Sequence, residues 1–278
     1  MPTPPAERFS TRNFERLAGL IHQHSGIKMP PAKRTMLAVR LRSRLAALGL
    51  GHLDEYCDYI FKDHGLDHEL VHLINAVSTN KTDFFREPAH FEFLRDSFLP
   101  ALASTGRRMV KIWSAAASIG AEAYTIAMVL EAFRKQNHGP DYSIIATDIS
   151  TEVLKLAVAG QYPKAMMDPV PPDMRASFVL RSRDPGLELV RIVPQLRAKI
   201  AWGHLNLMDK IYPVERDLDC IFCRNILIYF DKQTQNNVLT RLCEHLRPGG
   251  YLILGHSETG AGEGLPVVQV MSTVFRRV

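Results

Sequence analysis

The sequence predicts an α/β protein: a mostly parallel sheet wound with helices and closed by an antiparallel hairpin, with a small antiparallel β-insertion and an all-α unit in front. Three observations predict it. From Val110 onward, short apolar strands alternate with helical stretches as far as residue 255, beginning with VKIWSAAASIGAEAYTIAMVL at 110–130. Residues 9 to about 75 carry helical spacing and no strand signal. The last residues, 267–271 and 273–278, read as two short strands in succession, which makes a closing hairpin.

The elements follow in order. Ser10 is placed to cap a helix whose apolar residues are Phe14, Leu17, Ala18 and Ile21, and Gly26 is placed to end it. Pro30-Pro31 starts a second helix over 31–48, with Leu37, Leu41, Leu45 and Leu48 on one face. Lys33, Arg40 and Arg44 fall within about 40° of one another beside that face, at 100° per residue. His64, His68 and His72 lie four apart, a spacing that stacks side chains on one helix face, but no cysteine or carboxylate cluster completes a metal site. Asn80-Lys-Thr-Asp-Phe-Phe-Arg86 is polar with an aromatic pair, and Glu87-Pro88 opens a helix over 89–102.

The strand at 110–113 then runs into Ser114-Ala-Ala-Ala-Ser-Ile-Gly120, a turn with almost no side-chain bulk, so that backbone N–H groups at the following helix start can approach a ligand closely. A second apolar strand, 143–147, ends in Asp148, about 28 residues after Gly120. A carboxylate there is placed to accept hydrogen bonds from ribose hydroxyls. Together they suggest a nucleoside-containing cofactor. A helix over 151–159 follows, and prolines at 163, 169, 171 and 172 then interrupt the rhythm. Strands at 177–181 and 187–193, around the turn signal Asp184-Pro-Gly186, form the insertion. The α/β pattern resumes with strands at 200–206 and 218–223, a helix over 232–246, the turn Arg247-Pro-Gly-Gly250 and a strand at 251–255. The organisation is a helical unit over 1–76, a linker over 77–90 and a sheet-bearing unit over 91–278, with the insertion at about 165–198.

Composition narrows the function. No apolar run approaches the roughly 18–20 residues of a membrane span, and MPTPPAERFS lacks the apolar core of a secretory signal. Cys57, Cys220, Cys223 and Cys243 supply one C-x-x-C pair without a partner pair, so they read as buried reduced thiols, which fits a cytoplasmic protein. The net charge of +5 is uneven: residues 1–50 hold nine Lys/Arg against Glu7 and Glu15, while the remainder holds 25 Lys/Arg against 27 Asp/Glu. The basic end implies an acidic partner. The carboxyl edge of the sheet holds no convincing Ser–His–Asp set, Walker lysine or metal cluster. That suits a reaction whose nucleophile is already ionised or whose cofactor is already activated.

The pieces Asn80-Lys-Thr-Asp-Phe-Phe-Arg86, Trp113-Ser-Ala-Ala-Ala-Ser-Ile-Gly-Ala-Glu122, Ala146-Thr-Asp-Ile-Ser150, Cys223-Arg-Asn-Ile-Leu-Ile-Tyr-Phe230 and Gly255-His-Ser-Glu258 resemble those of the CheR family, the chemotaxis receptor methyltransferases. The likeness runs across nearly the whole chain and includes the glycine-poor turn. It implies the S-adenosylmethionine-dependent methyltransferase (Rossmann-like) form of the fold, with S-adenosylhomocysteine as the cofactor product. The substrates it implies are chemoreceptor glutamates, converted to methyl esters. It assigns Asp148 to the ribose, Glu122 to the methionine amino end or ribose, and Asn206 and Leu207 to the adenine border. Arg224 and Asn225 line the pocket, and Asn80, Thr82 and Arg86 close over it from the linker. Arg86 and Tyr229 are the candidates for orienting the substrate carboxylate. Lys33, Arg34, Arg40 and Arg44 are expected to steer the enzyme onto the acidic receptor helical bundle. In some relatives the β-insertion also pairs with a receptor tail peptide. A monomer recruited to membrane receptor arrays is expected, without a metal and without membrane insertion. A nucleic-acid methyltransferase is the first rival, but its Asn/Asp-Pro-Pro-aromatic motif is replaced here by Cys-Arg-Asn-Ile, and aromatic interleaving of the basic region is missing. A sensor that keeps the pocket is the second, and retained Arg86, Asp148 and Tyr229 argue against it. A nicotinamide dehydrogenase lacks its glycine fingerprint.

Overall fold

The computed structural model describes residues 9–184, 186–258 and 264–278, so the Pro-rich first five residues, Glu7, Arg8 and Pro185 lie outside the description. Helix α1, Thr11–Ser25, is capped by the Ser10 hydroxyl, which accepts from the Asn13 N–H at 3.2 Å, and buries Phe14, Leu17 and Ile21. Gly26 ends it at φ 71°, a left-handed conformation that costs an L side chain about 1 kcal/mol or more. A Cβ there would lie 2.7 Å from Met208 Sδ and 2.9 Å from the Phe230 ring, so the glycine lets the end of α1 press against the sheet-bearing unit. Gly26→Ala is expected to destabilise the chain by roughly 1–3 kcal/mol, read as a lower midpoint in urea unfolding with unchanged slope. An unchanged midpoint would show that this junction carries no strain.

The single helix predicted over 31–48 is three pieces: a 3-10 turn at Pro31–Lys33, then α2, Arg34–Arg40, and α3, Arg42–Leu48, broken at Leu41. The apolar stripe survives the break, since Leu37, Leu41 and Leu45 are all buried. Helices α4, Leu53–Lys62, and α5, Leu66–Val77, complete the unit around a core that includes Tyr56 and Leu73. His64 sits before α5 at φ 58°, so the three histidines do not share one helix; all three are exposed.

Strands β1, Met109–Ser114, and β2, Asp141–Asp148, lie side by side and parallel. The seven-stranded order continues from β2 to β6, Ile200–His204, on one side. On the other side of β1 come β7, Leu218–Cys223, and β8, Leu246–Leu254, both parallel to it. The predicted closing hairpin is β9, Val267–Met271, with β10, Val274–Arg277, which pairs antiparallel to β8. The strand predicted at 251–255 starts earlier, at Leu246. Leu218 pairs with Leu246 and Cys220 with Tyr251, so Arg247–Gly250 is a bulge within one strand.

Helix α6, Ala89–Phe93, runs through a π turn at Leu94–Phe98 into α7, Leu99–Ser104. These pack with Tyr124, Ile126 and Met128 of α8, Ala121–Asn137, in one core cluster. Val238, Leu239 and Leu242 of α12, Lys232–His245, pack with Trp113 and Ile221 in another. After α9, Thr151–Ala159, the insertion is a three-stranded antiparallel sheet. It comprises β3, Gln161–Pro163, then central β5, Leu189–Ile192, and β4, Val179–Arg181. The strand predicted from Ser177 is helical to Phe178, because Pro172 stands at the start of α10, Pro172–Phe178, where its fixed φ favours a helical turn. All four cysteines are buried and free, in line with their reading as reduced thiols.

Candidate functional site

Chain order reverses beside β1: β2 lies on one side and β7 on the other, and ligands of open α/β sheets bind beyond the carboxyl ends of the strands at such a point. A cleft opens there, lined from the sheet edge, the small-residue turn and the linker. Asn80, Thr82, Arg86, Glu122, Asp148, Asn206, Leu207, Arg224, Asn225 and Tyr229 all line it. The structure adds residues that no motif marked, chiefly Ser25 at the end of α1 and Ile27 just beyond it, and it places Ser118 of the small-residue turn in the lining. The helical unit thus forms part of the wall.

At the β2 end, Asp148 is 8% exposed. Its Oδ2 accepts the Ser118 N–H at 2.8 Å and its Oδ1 the Ser150 N–H at 2.9 Å. Burial pushes its carboxyl pKa up, opposed by those backbone donors. Each oxygen keeps a further lone pair, which is what a vicinal ribose diol requires. Gly120 stands at φ 92° before α8, and a Cβ there would meet Trp202 at 2.8 Å, so this glycine serves helix–sheet packing. Ala115 and Ala116 in the same turn keep the lining low, and the residues present fit a nucleoside.

Opposite lies a buried charge cluster. Arg224, 6% exposed, pairs with Glu122 at 2.9 Å and Glu87 at 3.1 Å, and donates to the Arg86 carbonyl. Glu122 also accepts the Ser114 hydroxyl at 2.7 Å, and Asn225 Nδ2 donates to Glu87 at 3.0 Å. Glu258, the acid of the Gly255-His-Ser-Glu258 stretch, accepts the backbone N–H groups of Asn225 at 3.0 Å, Leu227 at 2.7 Å and Gly255 at 2.7 Å, fixing the loop that carries Arg224 to Tyr229. Phe85, Glu87, Ser118 and Asn225 all have positive φ, between 50° and 59°. Such backbone costs of order 1–3 kcal/mol per residue and persists only where surroundings over-determine it, as at ligand sites.

Behind Glu87, buried His90 holds Thr273 through Nε2 at 2.8 Å, and its Nδ1 lies 3.5 Å from the Glu87 carboxylate. Burial and the nearby Arg224 lower its pKa from 6.5 to about 4, against the pull of Glu87. The unfolded chain therefore binds more protons than the native one between these values, and stability falls as pH drops through that window. The expected loss is roughly 3 kcal/mol between pH 7 and pH 4 from this group. Urea titrations across the window would show it, and His90→Asn should flatten that part of the slope; an equal slope in the variant would refute the assignment. Glu87, His90 and His256 offer ligand atoms within 4.8 Å of one another, among the described residues. The Glu87 carboxylate of this trio is the one that pairs with Arg224.

Several predicted roles change in place. The Asn206 amide is occupied at the interface, Nδ2 donating to the His24 carbonyl at 2.5 Å and Oδ1 accepting the Met208 N–H at 2.9 Å. Arg40 and Arg44, expected on a docking face, are engaged internally. Arg44 forms a two-pronged pair with buried Glu69 at 2.6 and 3.1 Å, while Arg40 donates to the carbonyls that end α5. Both bonds answer buried or orphaned acceptors, which outweigh solvent exposure for a guanidinium. Lys33 and Arg34 are half-buried like Arg40 and Arg44 but carry no such bonds to buried carboxylates or helix-end carbonyls among the described residues. Lys33 Nζ lies 5.7 Å from the Tyr229 ring centre, and Arg34 lies over Phe9 at the same distance with Nη1 3.5 Å from the Thr11 hydroxyl.

The profile of the CheR methyltransferase all-alpha domain matches residues 12–78, and that of the CheR methyltransferase SAM binding domain matches residues 80–273. A chemotaxis protein methyltransferase of Borreliella burgdorferi is 36% identical over 254 residues, 90% of this chain and 88% of its own length. Chemotaxis protein methyltransferase 2 of Pseudomonas aeruginosa is 36% identical over 268 residues, 96% and 93% respectively. The Salmonella typhimurium chemotaxis protein methyltransferase is 38% identical over 252 residues, 90% and 84%. With both profiles and relatives of full span in agreement, the chain belongs to the CheR methyltransferase family, and its cofactor is S-adenosylmethionine.

Proposed function

We propose that the chain esterifies glutamate side chains of chemoreceptors, taking the methyl group from S-adenosylmethionine, and that Arg86 and Tyr229 orient the carboxylate. The observation that carries this reading is the make-up of the cleft. Partly exposed Arg86 and Tyr229 stand in its wall, and its described lining contains no histidine or cysteine to act as base. Bound there, the cofactor supplies an electrophilic sulfonium methyl. A glutamate of pKa near 4.3 is ionised at neutral pH and needs no deprotonation. Its attack neutralises charge, so a cleft that excludes water favours it, and positioning supplies most of the remaining rate. Asp148 would hold the ribose, Glu122 and Arg224 the amino-acid end, and Leu207 and Asn206 the adenine border.

Lys33 and Arg34 remain as groups to meet an acidic receptor helix, since Arg40 and Arg44 have internal partners. The outer strands β3 and β4 of the insertion offer edges to a receptor tail peptide. The enzyme would work beside receptor arrays, and among the described residues no helix is long and apolar enough to cross a membrane. The test is transfer of radiolabelled methyl from S-adenosylmethionine to purified receptor cytoplasmic fragments. Label released as methanol by alkali is the expected result. Label that resists alkali, or none on any fragment, would overturn the carboxylate assignment.

A further inference from the structure

We infer that Arg40 is a positioning residue for the cofactor cleft, bracing the linker whose path places Arg86. The inference rests on the cleft being the S-adenosylmethionine site. Helix α5 ends at Val77, and the last carbonyls of a helix have no intrahelical donor. Arg40 Nη1 meets them, 3.4 Å from the Ala76 carbonyl, 2.8 Å from that of Val77 and 2.9 Å from that of Ser78. A cation at this point also faces the negative end of the α5 dipole.

Ser78 opens the cleft-lining segment 78–83, which forms neither helix nor strand. Its path is therefore set by bonds from outside. Two more of its carbonyls are held: Asn80 by the Ser118 hydroxyl at 2.9 Å, and Lys81 by Arg86 Nη1 at 3.0 Å. Ser118 is itself bonded to Asp148. One segment thus joins α2, the ribose-side turn and Arg86, and Arg40 is its anchor on the helical side. Without that anchor, Ser78 keeps its own bonds to the Ile74 carbonyl, and the segment beyond it depends on groups that line the cleft. A docking cation and a brace differ in what they do for the chain alone, with no receptor present.

The experiment is calorimetric titration of S-adenosylhomocysteine into the full chain, as wild type, Arg40→Met, Arg40→Lys and Arg42→Met. Arg42 is an exposed cation at the start of α3 and serves as the charge-matched control. Losing bonds from a charged donor is expected to weaken Kd about tenfold in Arg40→Met and less in Arg40→Lys, with Arg42→Met unchanged. Amide hydrogen exchange across 79–83 should quicken in the same order. A folded Arg40→Met protein with wild-type Kd and wild-type exchange would overturn the inference. Should Arg40→Met fail to fold, unchanged exchange in Arg40→Lys would overturn it equally. A wild-type chain without affinity for S-adenosylhomocysteine would instead overturn the cofactor reading, and the inference with it.

Discussion

Arg224→Met is expected to lose about 3–5 kcal/mol of stability and all measurable methyl transfer. The cost does not come from the arginine's own contacts alone. Its removal leaves Glu122, 9% exposed, and Glu87 as neighbouring carboxylates without their shared cation, and an uncompensated buried charge is the expensive state. It also frees the Arg86 carbonyl and with it the strained backbone from Phe85 to Glu87. Against a typical stability of about 5–15 kcal/mol, a loss of this size is a large fraction of the total. Urea unfolding measures it, and the double variant Arg224→Met with Glu122→Gln separates the causes. Neutralising Glu122 should restore about half of the loss, since it removes one stranded charge. A single variant within about 1 kcal/mol of wild type would show that water reaches the cluster and solvates it.

Arg86→Ala is expected to act the opposite way, on rate and hardly on stability. Among the described residues the guanidinium makes one hydrogen bond, to the Lys81 carbonyl, while its side chain lines the cleft. Removing a positioned charged donor costs about 10²–10³ in kcat/KM where it meets the reacting group. Stability should change by less than about 1 kcal/mol, because the side chain is partly exposed. Arg86→Lys keeps the charge but loses the fork that matches a carboxylate, and should recover only part of the rate. Initial rates on a receptor fragment, with thermal unfolding alongside, decide the matter. A kcat/KM within threefold of wild type would remove Arg86 from the chemistry.

The alternation of elements was readable because parallel strands buried on both faces are written as short, mostly apolar runs, as in Leu218–Cys223, where every residue is buried and only Asp219 is charged. The cleft was readable residue by residue because its chemistry sits at strand ends and in short motifs: Asp148 closes β2, and Arg224 and Asn225 follow β7 directly. Boundaries failed where another part of the chain set them. The helix break at Leu41, the bulge at Arg247–Gly250 and the helical turn ending at Phe178 each leave the apolar pattern intact while changing the backbone. Periodicity reports which side chains are buried, not how the backbone bends to bury them.

By itself the sequence determined the fold class, a nucleoside-binding sheet edge and the cleft residues at the strand ends, because these are encoded locally by spacing and residue type. S-adenosylmethionine and the roles of Asn80, Thr82, Arg86, Glu122 and Tyr229 came from the resemblance to the family. Tertiary structure alone decided what those residues do for one another. It brought Ser25 of α1 and Ile27 beyond its end into the cleft wall and set Arg224 between two glutamates distant in the chain. It also turned Arg40 and Arg44 inward, although their helical spacing matches that of a docking face. A cation's role depends on which acceptor lies within about 3 Å, and that neighbour comes from another helix, so a one-dimensional pattern carries no record of it.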